Sequence, residues 1–417
     1  MHTMTDIDIT DYIADPMRAA LYTYRHRRDG YISSGNFRPT EASCEITNEF
    51  GRTQRVGKCR RAIYYRLTDG TSGEKNDNTQ LIFATGNAME DYFCDMWEEA
   101  GVLITQGYRF RGETEAPDGT KITISGEMDG LLRNFTQANA HRSVDGGEIL
   151  DISQDLATIM EFKTARGMSI EQTAPDLVRY PNAEQRLYPK GSPKIAYVMQ
   201  VACYLHMKGV IEAEFGVKVE EGQICYAGLK PMIFSTFRVR IDSDGNIRIW
   251  DKFGSEVLPS QSYLMGKHDD PNLSVSPRQG FTIDGILQSY ADVSKAVEHW
   301  RAHGDHDRIP DRDFALRWSA EKVQEMKDTG TAYTGSGNLV AHIKNWGKNE
   351  LQTVGDFECN YCDFRDQCYP YLSLTEVVEA GGMTPEQALN RLYDANMMRR
   401  PSNDADIEAF MAMPDHS

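Results

Sequence analysis

An apolar run, Ala157-Thr158-Ile159-Met160, leads directly into Glu161-Phe162-Lys163-Thr164. These residue types predict a strand, and side chains two positions apart on a strand share a face, so Glu161 and Lys163 are neighbours by geometry. A carboxylate and an ammonium at a buried strand end are costly unless something compensates both charges, typically a divalent metal and a polyanion. That combination is suited to phosphodiester hydrolysis. A cross-face ion pair at a sheet edge fits the same three residues, so the choice between the two falls to the rest of the chain.

Other residues could join this pair. In Ser125-Gly126-Glu127-Met128-Asp129-Gly130, an acidic side chain sits within a strand flanked by glycines. Asp129 is a candidate metal ligand there, and Glu127 is expected on its face. Residues 81–100 have helical periodicity, with Ile82, Met89, Phe93, Met96 and Trp97 on the apolar side. Gly86 and Glu90 stand four apart on that helix, where a missing side chain lets a backbone or substrate approach the carboxylate. A helix over residues 194–208 puts Gln200 and Tyr204 one turn apart on one face. His206 reads as an ordinary surface or capping residue. Asp242-Ser243-Asp244-Gly245-Asn246 lacks the sixth-position glycine and closing glutamate of a calcium loop, so it reads as a turn. The loop from His303 to Asp307 reads as a solvated connection.

Eight cysteines are present, and Cys359, Cys362 and Cys368 crowd into one loop. In a cytosolic chain they are not expected to pair as disulfides. Three thiolates make three quarters of a tetrahedral sulfur site, and the fourth must come from far away in sequence. Cys59, opening the helix predicted over residues 58–65, is the first candidate and Cys44 the second. The neighbouring Arg60 and Arg61 are expected to favour a thiolate. Spacing does not separate zinc from an iron–sulfur cluster.

These residues need a scaffold of strands and helices, and the composition supplies one. With 417 residues, 40% of them hydrophobic, the chain has ample core material for one enlarged domain or two. A mean hydropathy of -0.54 excludes a membrane span, and the acidic start is unlike a signal peptide, so a cytoplasmic location is expected, in a host cell if the source is viral. The net charge of -17 argues against holding nucleic acid by bulk electrostatics but leaves room for a local basic groove. Residues 52–66 and 190–208 are the basic segments, each either phosphate-contacting or a solvated helix face. Helices are expected over residues 5–28, 286–302 and 384–393. Strands are expected over 108–113, 121–125, 223–229, 235–241 and 247–250, with an insertion at 134–154 and an arginine-bearing loop after Lys163. There is no repeat and no phosphate-binding GxxxxGK[ST] loop.

Taken in order, Gly86-x3-Glu90, Gly126-x2-Asp129, Glu161-Phe162-Lys163 and Gln200-x3-Tyr204 resemble the PD-(D/E)xK nuclease superfamily, in its RecB-like branch. One cysteine before this core and three after it are similar to the iron–sulfur clasp of CRISPR-adaptation exonucleases and AddB-type helicase–nuclease subunits. Cys59-Arg60-Arg61-Ala62-Ile63-Tyr64-Tyr65 resembles the segment carrying their first cysteine. The resemblance runs from Cys59 to Cys368, apart from long insertions.

It implies an α/β fold: a restriction-endonuclease-like core with a mixed central sheet flanked by helices, helical insertions and an iron–sulfur clasp. The implied division is 1–80 as an N-terminal helical segment with the first cluster cysteine, 81–250 as the nuclease core, 251–355 as a mostly helical insertion, and 356–417 as the cysteine segment and tail. Asp129 and Glu161, with the Phe162 carbonyl and Glu90, would bind Mg2+ or Mn2+. Lys163 would orient or deprotonate the attacking water, and Gln200 and Tyr204 would support the lysine and the DNA. Many cluster-bearing relatives carry His where Glu90 stands, while other superfamily members use an acid. Cys59, Cys359, Cys362 and Cys368 would hold a [4Fe-4S] cluster, with Zn2+ as the alternative. The implied activity is exonuclease action on single-stranded DNA or DNA ends in recombination, repair or replication, with a helicase, recombinase or single-strand-binding partner. A non-catalytic DNA-binding or assembly subunit and a zinc-stabilised endonuclease are the alternatives.

Overall fold

The computed structural model describes residues 35–47, 53–70, 77–135, 152–165, 193–229, 232–259, 280–315, 318, 320–328, 356–360 and 362–368. The helices expected over 5–28 and 384–393, most of the 134–154 insertion and the arginine-bearing loop after Lys163 lie outside these residues.

Six strands form one mixed sheet in sequence order: β3 (Leu103–Glu115), β4 (Lys121–Phe135), β5 (Ile152–Ala165), β6 (Lys218–Leu229), β7 (Met232–Ile241) and β8 (Ile247–Trp250). A further hairpin, β1 (Ser43–Thr47) and β2 (Thr53–Gly57), precedes them. All neighbours in the large sheet run antiparallel except β5 and β6. A parallel pair needs a crossover, and helices α3 (Ile195–His206) and α4 (Lys208–Phe215) lie within it. β3 and β4 are longer than the alternation in the sequence predicts. The expected strands over 223–229, 235–241 and 247–250 are present, as is the Asp242 turn, whose carboxylate accepts from the Asp244 and Asn246 amides.

β5 is central, and residues 157–162 are buried on both faces, which is why this stretch reads as a nearly unbroken apolar run. On one face Ala157 and Ile159 meet Val198, Val201 and Ala202 of α3 in the main core. On the other, Met160, Phe162, Cys225 and Ala227 pack under α2 (Asp77–Glu99), through Met89, Phe93 and Trp97. The Phe93 and Phe162 ring centroids lie 4.8 Å apart.

Helix α5 (Ile283–His303) shows how local signals set boundaries. Thr282 Oγ1 accepts from the Gly285 amide at 3.0 Å, Asp284 sits in the first turn, Arg301 and His303 in the last, and Gly304 adopts left-handed φ. It meets the hairpin through Ser43 Oγ and Ser289 Oγ, 2.7 Å apart, and the segment before it through the Tyr290 hydroxyl, which donates to the Arg38 carbonyl. Residues 43–57, read from sequence as part of a helical segment, therefore form strands that join the main core. The remaining helices are α1 (Arg60–Leu67), α6 (Ala320–Asp328), α7 (Phe357–Asn360) and α8 (Arg365–Cys368).

Gly57 ends β2 two residues before Cys59 with φ +90, and a Cβ there would lie 2.2 Å from the Ala42 carbonyl oxygen. The next amide, Lys58, donates to that same oxygen. Gly57→Ala is expected to cost about 2–3 kcal/mol through left-handed strain and backbone collision, read as a lower urea midpoint. An unchanged midpoint would show that the turn relaxes freely.

His206 is half-buried rather than on the surface. Its Nε2 lies 2.7 Å from Thr114 Oγ1, and burial pushes its pKa down. No helix among the described residues is long and apolar enough to cross a membrane.

Candidate active site and cysteine site

The β4–β5 ladder ends at the pair Gly130 and Met160. Continuing that register one step would set Asp129 opposite Glu161. Instead the Asp129 carboxylate takes the main-chain hydrogen bond itself, with Oδ2 accepting from the Phe162 amide at 2.6 Å. The strands thus part where the acids stand. Glu161 has no exposed surface, its Oε1 accepts from Lys163 Nζ, and its Oε2 is buried without a hydrogen-bond partner. The Tyr204 hydroxyl bears on the same carboxylate, lowering Glu161 and being raised by it, so the second oxygen faces a polar group of α3 but has no well-formed hydrogen bond of its own.

The electrostatics tie four groups together. Burial pushes Glu161 up to about 7, with Asp129 adding and Lys163 opposing. Burial likewise raises Asp129, against the pull of Lys163. Glu90, on α2, is held at about 7 by burial, then by Asp129, so it faces the same cluster. For Lys163 burial works downward, but Glu161 and Asp129 outweigh it and hold the ammonium above its ordinary value. The two acids thus favour the ammonium form of Lys163.

Some expected contacts differ. Gly86 stands beside Thr164, but a Cβ there would sit 3.8 Å from Thr164 Oγ1, an ordinary contact, so the approach of α2 does not demand glycine. Glu127 does not join Asp129; its exposed carboxylate accepts from Arg109 Nε at 2.6 Å. Gln200 and Tyr204 are buried and do pair, Gln200 Nε2 donating to the Tyr204 hydroxyl at 2.7 Å. That hydroxyl donates to the Glu127 carbonyl at 2.9 Å. The pair thus anchors the β4 backbone two residues before Asp129.

Sequence reading missed Lys194 and Tyr197. Lys163 Nζ and Lys194 Nζ lie 5.1 and 5.3 Å from the Tyr197 ring centroid, so one aromatic ring meets two ammoniums. The Lys194 amide donates to the Tyr226 hydroxyl at 3.0 Å. Burial and Lys163 pull Lys194 down to about 8. Tyr197 lies one turn before Gln200 on α3, and that spacing was the available signal.

Cys59, the first candidate for a fourth ligand, lines one recess with Cys359, Cys362 and Cys368. Its wall also carries Arg61, Arg312 and Arg365, with Glu358 and the rings of Tyr65, Phe314 and Phe364. Burial raises Cys359 and Cys362, and the other three sulfurs push Cys359 further, as expected of thiols crowded together before a cation screens them. Cys44 is elsewhere, fully buried with its sulfur 3.7 Å from that of Met199. The expected thiolate-favouring arginines are occupied. Arg60 donates to Asp313 and Asp292, and Arg61 Nε to the Pro310 carbonyl, while burial, then Asp313, raises Cys59. Arg312 does touch sulfur, its Nε donating to Cys368 Sγ at 3.2 Å. Donor chemistry and shared recess fit a thiophilic metal or cluster. Among the described residues no group of three or more His, Cys, Asp or Glu side chains is arranged to hold a metal ion as it stands.

No protein-family model and no curated protein matches this chain. Among solved structures, one described as "Crystal structure of SSO0001" is similar over 53% of this chain and 76% of that chain, at 12% identity and a TM-score of 0.28. The reading of the site rests on its own geometry.

Of the two basic segments, the described part of the first, residues 53–66, is largely committed to the fold. Arg55 lies within 4.0 Å of Glu45, Asp292 and Asp313, and Arg66 pairs with Glu41. The 190–208 segment supplies Lys194, on the Tyr197 ring that Lys163 also meets.

Proposed function

We propose that the chain is a metal-dependent DNA nuclease of the PD-(D/E)xK type, acting on single-stranded DNA or DNA ends. The observation that carries the reading is the fork between β4 and β5, where Asp129 holds the Phe162 amide and Glu161 keeps one buried oxygen without a partner. Asp129 and Glu161, with the Phe162 carbonyl and Glu90, would hold Mg2+ or Mn2+. Such an ion polarises a phosphate and lowers the pKa of bound water. Lys163, kept charged by its acidic neighbours, orients the scissile phosphate and the attacking water. Tyr204 and Gln200 fix the backbone that presents Asp129. Cys59, Cys359, Cys362 and Cys368 would hold a [4Fe-4S] cluster, or Zn2+, as a structural tie. A cytoplasmic setting and a helicase, recombinase or single-strand-binding partner belong to the same reading.

End-labelled single- and double-stranded DNA, incubated with and without Mg2+ or Mn2+, tests this directly, and a circular substrate separates nicking from end-dependent digestion. Absence of metal-dependent cleavage of any form would overturn it. A second reading, a non-cleaving subunit that keeps the fold to bind or assemble on DNA, draws on the Glu161–Lys163 pair, which partly satisfies both charges without a metal.

Lys194→Met is expected to weaken DNA binding several-fold and lower the salt slope of binding by about 1, the signature of one lost phosphate contact. Turnover at saturating DNA should change little. An unaltered salt slope would assign Lys194 to packing against Tyr197 alone.

A further inference from the structure

We infer that Pro310 to Ala315 together with Trp318, assigned from sequence to a helical insertion, form the bracket that assembles the four-cysteine site, and that Arg312 is its positioning residue for the Cys368 sulfur. This rests on the reading of those cysteines as a metal or cluster site. On one side of the bracket, Pro310 accepts from Arg61 and Asp313 accepts from the Arg60 amide at 2.7 Å and from its guanidinium at 2.8 Å, fixing the helix that begins after Cys59. On the other side, Asp356 accepts from the Ala315 amide at 2.7 Å and from Trp318 Nε1 at 2.8 Å, and its own amide donates to the Ala315 carbonyl. These contacts fix the turn that carries Cys359. Between them Arg312 donates Nε to Cys368 Sγ at 3.2 Å and an Nη to the Cys368 carbonyl at 2.7 Å.

The chemistry of that contact is specific. Four thiolates around one centre repel one another, and a guanidinium beside one sulfur offsets part of that charge. Its planar fork reaches sulfur and main chain at once, fixing the direction of the Cys368 side chain, which a lysine ammonium cannot do with one point charge. Hydrogen bonds to ligand sulfurs also set a cluster's reduction potential. Arg312 therefore does two things: it orders the last cysteine, and it makes a bound cluster easier to reduce.

The test compares full-length wild type with Arg312→Gln and Arg312→Lys, purified anaerobically. Iron, sulfide and zinc contents are measured, then metal release to a chelator and, where iron is present, the reduction potential. Arg312→Gln is expected to release metal about 10-fold or more faster, the usual cost of losing a partner of a metal ligand, and an iron cluster in it to be harder to reduce. Arg312→Lys should restore part of the release rate by returning the charge, and it keeps the test usable where the glutamine variant folds poorly. Wild type that holds neither iron nor zinc would sink the metal-site reading itself. Metal-loaded wild type whose release rate and potential match those of both variants would sink the role of Arg312 alone.

Discussion

Glu161→Gln should lower Mg2+- or Mn2+-dependent DNA cleavage by about 10³-fold or more, because a metal at such a site contributes several kcal/mol of transition-state stabilisation and each decade of rate is worth about 1.4 kcal/mol. Glutamine keeps the shape of a side chain that has no exposed surface, so packing against β6 and α3 is retained while the anionic oxygens are lost. The same substitution strips Lys163 of its closest counter-charge. Breaking a buried ion pair costs about 3–5 kcal/mol. Here Asp129 still favours the ammonium and the Lys163 side chain is 23% exposed, so a loss of about 1–2 kcal/mol is expected. The double variant Glu161→Gln, Lys163→Met should recover most of that stability, having no stranded charge, and should still not cleave. Parallel denaturant melts and single-turnover cleavage separate the two effects. A Glu161→Gln protein that cut DNA at the wild-type rate would reduce the pair to a structural ion pair and end the nuclease reading of this fork.

Cys362→Ser should abolish the bound iron or zinc and release the segment around residues 356–368 from the body of the protein. Coordination energy is large, about 10–16 kcal/mol for structural zinc in isolated fingers. The expected loss is smaller, on the order of 3–5 kcal/mol, because Phe364 is already buried in the main core, beside Tyr65 at 6.1 Å between ring centroids. The effect should be local. Proteolysis should reach the C-terminal cysteine segment first, while the melting of the sheet shifts less. Chelator treatment of wild type should reproduce the pattern. A serine variant with wild-type metal content and an unchanged proteolytic map would remove Cys362 from the site.

Which contacts were legible beforehand depended on how local they are. The Glu-x-Lys spacing placed two side chains on one strand face because the strand repeat of two allows nothing else. Gln200 and Tyr204 pair because four residues make about one helical turn. Local spacing did not show that their shared hydroxyl bond goes to the Glu127 carbonyl, for that partner lies on another element. Glu127 went the other way for the same reason. Alternation suggested the face of Asp129, but the ladder breaks at Gly130 and Arg109 draws the Glu127 carboxylate outward.

By itself the amino-acid sequence determined the α/β character, the apolar strand that ends in Glu161-Phe162-Lys163, the approximate positions of α2, α3 and α5, and the crowding of Cys359, Cys362 and Cys368 into one loop. These follow from periodicity and spacing, which act over a few residues. Only the tertiary structure decided that Asp129 replaces a rung of the β4–β5 ladder, that Tyr197 stands between two ammoniums, and that Arg312, rather than Arg60 or Arg61, touches a cysteine sulfur. Each of those depends on segments distant in sequence competing for the same hydrogen bond or charge. The winner is set by which groups burial brings within a few ångströms of one another, and no local pattern encodes that distance.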